Sequence, residues 1–80
     1  MRERTNPRWT AYCKTRGYAD HTAALAGERV IWPGGVMTGF ILWIAECLRE
    51  YKAARGLPQQ GPIWDQADFT AFIWRKVNER

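Results

Sequence analysis

The sequence predicts a mainly α-helical single domain, a small bundle of three to four helices around a central helix at about 35–55. Two observations predict it. Apolar residues recur at steps of three and four along several stretches, which is the spacing of one helix face. Residues that begin and end helices punctuate those same stretches.

Asn6-Pro7 opens the first helix, expected over about 7–16. Asn is a good cap, and Pro suits a first turn whose N–H has no helical partner. Trp9, Tyr12 and Cys13 fall on one face, Lys14 falls opposite, and Gly17 suits the left-handed residue that closes a helix. Asp20 caps a weaker second helix to about Arg29, with Leu25, Arg29 and Trp32 on one side and Gly27 counting against it. Val30-Ile31-Trp32 reads equally as helix or as a short extended stretch. Pro33-Gly34-Gly35 is a firm break.

The central helix follows. Val36, Phe40, Trp43, Ile44, Cys47, Leu48 and Tyr51 form its apolar stripe, while Glu46, Arg49, Glu50 and Lys52 take the other side. Trp43, Ile44, Cys47 and Leu48 are the expected core, and Gly56 ends the helix. A loop rich in Pro and Gly runs to Trp64. Asp65 then caps a last helix whose apolar face is Phe69, Phe72, Ile73 and Val77, with Trp74 on its flank.

Eighty residues form one domain with residues 1–5 as a tail, and a chain this short buries only about 60–65% of its unfolded surface. Five Trp, three Tyr and three Phe compensate, and dimerisation would add to the buried area. Cys13 and Cys47 fall on apolar faces and read as reduced core thiols of a cytoplasmic protein. The longest apolar run, Val36 to Ala45, is far short of the roughly twenty residues that span a bilayer, so no membrane partner is expected.

No catalytic apparatus is legible. One His and two Cys at unrecognised spacings do not make a zinc site, and no nucleophile is seen with a base and an orienting group. Asp65 and Asp68 read as helix-start chemistry, Glu46 and Glu50 as a solvated face. We therefore expect no enzyme, no cofactor and no metal. The net charge of +4 is concentrated at both ends, +4 over residues 1–17 and +2 over the last six, against −2 between them. Arginines beside aromatic residues suit either a protein hot spot or phosphate contacts with stacking, so a protein partner and nucleic acid both stay open.

The stretches Asn6-Pro7-Arg8-Trp9-Thr10-Ala11-Tyr12-Cys13 and Trp32-Pro33-Gly34-Gly35-Val36-Met37-Thr38-Gly39-Phe40-Ile41-Leu42-Trp43-Ile44 resemble small uncharacterised proteins encoded by phages and prophages of proteobacteria. In size and single-domain build the chain is similar to the anti-CRISPR proteins that such reading frames include. The resemblance implies a non-enzymatic inhibitor acting in the bacterial host cell. It would bind a host protein complex, a Cas subunit of a type I CRISPR interference complex, and block it sterically. Many such inhibitors are acidic and imitate DNA; a chain of net +4 departs from that pattern. The candidate partner-binding residues are Arg4, Arg8, Lys14 and Arg16, with Trp74 and Arg75 as anchors. The alternative is a small basic nucleic-acid-binding accessory protein, and a structural phage component working as an oligomer, a homodimer for example, is a third.

Overall fold

Each helix of the computed structural model, which describes residues 6–79, starts and stops for a local reason. The four are α1 (Pro7–Arg16), α2 (His21–Ile31), α3 (Thr38–Arg55) and α4 (Gln66–Asn78), and no strand occurs among the described residues. The side chains of Asn6, Asp20 and Asp65 accept bonds from the backbone N–H groups of Arg8, Ala23 and Asp68, satisfying donors that a helix start leaves open. Gly17 and Gly56 take the left-handed conformation and return their N–H groups to the last turns of α1 and α3. Arg4, Arg80 and the expected tail at 1–5 lie outside the described residues.

Two boundaries differ from the sequence reading. Val30 and Ile31 continue α2 as helix, and only Trp32 leaves it. The longest helix starts at Thr38 rather than 35. Gly35 N–H bonds to Trp32 O and Thr38 N–H to Gly35 O, so Val36 and Met37 are spent on a tight double turn.

The core is two clusters that share α1. Ala11 packs with Cys47, Tyr51, Phe69 and Ile73, joining α1, α3 and α4. Trp9, Tyr12 and Cys13 pack with Ala24, joining α1 to α2, and Phe40 and Trp43 close over them from α3. Four rings dominate the second cluster: neighbouring centroids of Trp9, Tyr12, Phe40 and Trp43 lie 5.3–6.4 Å apart, mostly tilted or edge-on as ring quadrupoles prefer. Trp43 touches both clusters but stays half-buried, as do Ile44 and Leu48; of the four expected core residues only Cys47 is fully enclosed. Both cysteines are buried free thiols in different clusters.

Lys52 corrects the reading of α3. The sequence places it on the polar side, yet it is buried, and its Nζ donates to the carbonyls of Gln59 (2.8 Å) and Gly61 (2.5 Å). The ammonium thereby pins the loop between α3 and α4 against the helix.

Candidate functional site

A buried carboxylate organises the junction of α1, α2 and α3. Glu28 is wholly enclosed. Tyr12 Oη donates to its Oε1 at 2.8 Å, Tyr18 Oη to its Oε2 at 2.7 Å, and Arg16 Nε to the same Oε2 at 3.3 Å. Burial by itself pushes a carboxyl up; the hydrogen bonds from Tyr18 and Tyr12 and the Arg16 charge outweigh it and hold Glu28 below the ordinary glutamate range. The same contact works on the tyrosines in the opposite direction. Burial first, then the bond to Glu28, pushes the Tyr12 hydroxyl far up, and Tyr18 is raised chiefly by its own bond to Glu28. A carboxylate that accepts three such bonds in a buried site reads as a structural clasp, beside which the buried Trp32 Nε1 has no partner among the described residues.

The first and last helices meet along a second seam. Arg8 Nη2 donates to Gln66 Oε1 at 2.5 Å and Nε to Thr70 Oγ1 at 3.3 Å, while the guanidinium lies 4.7 Å from the centre of the Phe69 ring. Two turns further along both helices, Lys14 Nζ stands 5.8 Å from the centre of the Trp74 ring. α1 and α4 therefore run in the same direction. Tyr51 and Arg55 of α3 both bond Asp68 on α4, at 2.7 and 3.0 Å, and these partners hold Asp68 below the usual carboxylate range.

Lys14 also lines a cleft of about 430 Å³ between α1 and the turn into α2. Trp9 and Cys13 line its apolar part; Lys14, Tyr18, Asp20 and His21 stand around it. His21 Nδ1 accepts from Trp9 Nε1 at 2.9 Å, which fixes the indole and leaves the imidazole on the exposed rim. Burial raises the Cys13 thiol above its ordinary value, so it is a poor nucleophile. Among the described residues no group of three or more His, Cys, Asp or Glu is placed to hold a metal ion. No described helix is long and apolar enough to cross a membrane.

The six residues expected to bind a partner do not form one patch. Arg4 is outside the described residues. Lys14 and Trp74 are brought together, one exposed and one half-buried. Arg8 is tied into the α1–α4 seam instead of standing at a free edge. Arg16 reaches the buried Glu28, with its side chain 41% exposed. Arg75 lies apart from Lys14 in a groove beside Glu50, Arg55 and Lys76. Among the described residues Lys14 of α1 does come to Trp74 of α4, but Arg8, Arg16 and Lys76 are already engaged.

The sequence reading missed Glu28, having grouped Leu25, Arg29 and Trp32 on one side of α2 without singling it out. The inner line is Ala24 and Glu28, one turn apart. Gly27 held the available signal: a Cβ there would come within 2.5 Å of the Tyr18 ring, so the residue that weakens α2 as a helix is what admits Tyr18 to the clasp. The sequence reading also did not predict a second exposed surface. Val30, Ile31, Met37, Ile41 and Leu42 all present apolar side chains to water between residues 30 and 42, and Trp64 is 87% exposed on the loop before α4.

No protein-family model, no curated protein and no solved structure matches the chain.

Proposed function

We infer that the protein is a non-enzymatic binding module that occludes a surface on a protein partner, using the exposed face of α1. The observation that carries this is the arrangement around Lys14, which holds its ammonium near the Trp74 ring and also lines the cleft floored by Trp9 and Cys13. An aromatic anchor, a cation and a concave apolar pocket side by side are what protein hot spots are made of. The remaining charge favours protein over nucleic acid. Arg16, Arg55 and Lys76 are paired with acids, Lys52 is buried and Arg8 is engaged. Lys14, Arg29, Arg49 and Arg75, which have no ion-pair partner among the described residues, sit on four different helices and make no phosphate-tracking stripe.

The resemblance of residues 6–44 to phage reading frames names the first partner to try, a Cas subunit of a type I interference complex. On this reading the chain is a phage-encoded inhibitor that blocks the subunit sterically. The test is capture from a bacterial lysate with and without nuclease, using wild type, Lys14→Glu and Thr10→Arg. Both substitutions fall at exposed positions of the α1 face. Nuclease-resistant capture of a Cas protein, weakened about tenfold or more by either variant, is the expected result. Capture that vanishes with nuclease would replace this reading with nucleic-acid binding.

A further inference from the structure

We propose that the protein self-associates through the outer face of α3, two copies packing their α3 helices antiparallel about a two-fold axis between residues 47 and 48. This goes beyond the reading above and uses a different surface.

The side of α3 turned to the core carries Phe40, Trp43, Cys47 and Tyr51. Leu42, Glu46, Arg49 and Ala53 lie opposite, at steps of four, three and four, so they line up along one face. All four are exposed, and Leu42 keeps 58% of its surface in water. Glu46 and Arg49 have no ion-pair partner among the described residues, whereas the neighbouring Glu50 is bonded to Lys76 at 2.6 Å.

This stripe is complementary to itself when reversed. Around an axis between residues 47 and 48, Glu46 of one copy meets Arg49 of the other, and the symmetry repeats the pair. Leu42 then lies over Ala53 of the second copy, a large side chain against a small one, which lets the helices approach closely. Just outside the two ends of α3, Met37 and Leu57 are exposed apolar side chains, at 39% and 36%. A parallel pairing would set Glu46 against Glu46 and Arg49 against Arg49. Charge complementarity thus selects the antiparallel arrangement and a second copy as occupant.

Three turns of helix with these flanks bury on the order of 1,000 Å² in total, the lower end for a specific interface. The dimer accordingly falls in the weak class of specific association.

Sedimentation equilibrium of the full chain, from about 1 to 500 µM, reads this directly. Wild type should pass from monomer to dimer across that range. Glu46→Arg alone and Arg49→Glu alone should each weaken association about tenfold or more, since each sets like charges against one another twice. Mixed together, the two single variants should form a heterodimer, and the double variant should recover the wild-type affinity. Circular dichroism checks that these exposed changes leave the helices intact. A wild type that stays monomeric throughout overturns the proposal. So does a mixture of the single variants that associates no better than either alone.

Discussion

Replacing Glu28 with Gln keeps the shape of the side chain and removes its charge, so it isolates what the buried carboxylate contributes. In wild type both oxygens accept bonds, from Tyr12 on one side and from Tyr18 and Arg16 on the other. Glutamine keeps one oxygen for two of these donors and turns its amide to the Tyr12 hydroxyl, which can rotate to accept. The buried Tyr12 hydroxyl proton then loses its acceptor, and charge-assisted bonds become neutral ones, which are about half as strong. The loss is offset in part because no carboxylate has to be desolvated. Arg16 is 41% exposed and returns to water, so the roughly 3–5 kcal/mol penalty of an abandoned buried charge does not apply. The net expectation is about 1–2 kcal/mol of destabilisation at pH 7. In a domain of this size that is a fall in Tm of about 5–15 °C. The pH dependence fixes the sign independently. Because the native value of Glu28 is depressed, its contribution is full above about pH 4.3, the ordinary glutamate value, and is lost as pH falls through the native value. Calorimetric melts of wild type and Glu28→Gln between pH 7 and about 3 should therefore converge as the pH drops. A gap that stays constant across that range, or no gap at pH 7, would refute the assignment of Glu28 as a charged clasp.

The α1 basic residues should separate in thermal melts. Arg8→Glu, which breaks the contacts to Gln66, Thr70 and Phe69, should cost about 1–2 kcal/mol, while Lys14→Glu should stay within about 0.5 kcal/mol of wild type. Equal effects would mean that the α1–α4 seam is misplaced. Gly39→Ala should destabilise by about 1–3 kcal/mol in urea unfolding despite the better helix propensity of alanine. Its Cβ would lie 2.5 Å from Tyr12 Oη, 2.6 Å from Glu28 Oε1 and 2.8 Å from Trp32 Nε1. Trp43→Ala should cost about 3 kcal/mol, at the low end for an aromatic deletion because the ring is only half-buried yet bridges both clusters. A melt unchanged by this substitution would mean that the clusters are not coupled through α3.

Much of the fold was legible because helix ends are written locally. Asn6, Asp20, Asp65, Gly17 and Gly56 each act within a turn of their own position, and each does what its chemistry predicts. The misread boundary at Thr38 has a local cause too: Val36 and Met37 look helical by apolar spacing, but the bonds from Gly35 and Thr38 curl them into a turn. The site was not legible, since its parts are joined across elements. That Glu28 and not Arg29 faces inward depends on Tyr12 and Tyr18 arriving from α1 and the turn after it. Lys52 looks solvated until the loop carbonyls of Gln59 and Gly61 fold over it. Lys14 and Trp74 are sixty positions apart, and no periodicity relates them.

The pairing of the first helix with the last has a consequence for how the chain is made. During synthesis α1 emerges before α4, so Arg8, Ala11 and Lys14 are made well ahead of Gln66, Phe69 and Trp74. One of the two core clusters cannot close until α4 has left the ribosome, and closing it means bringing together segments separated by most of the chain. Until then Ala11, Cys47 and Tyr51 lack the cover of Phe69 and Ile73, and that half of the core stays open. A message truncated before α4 would therefore yield a product missing half its core, and proteases would clear it rather than leave a weakened version in circulation.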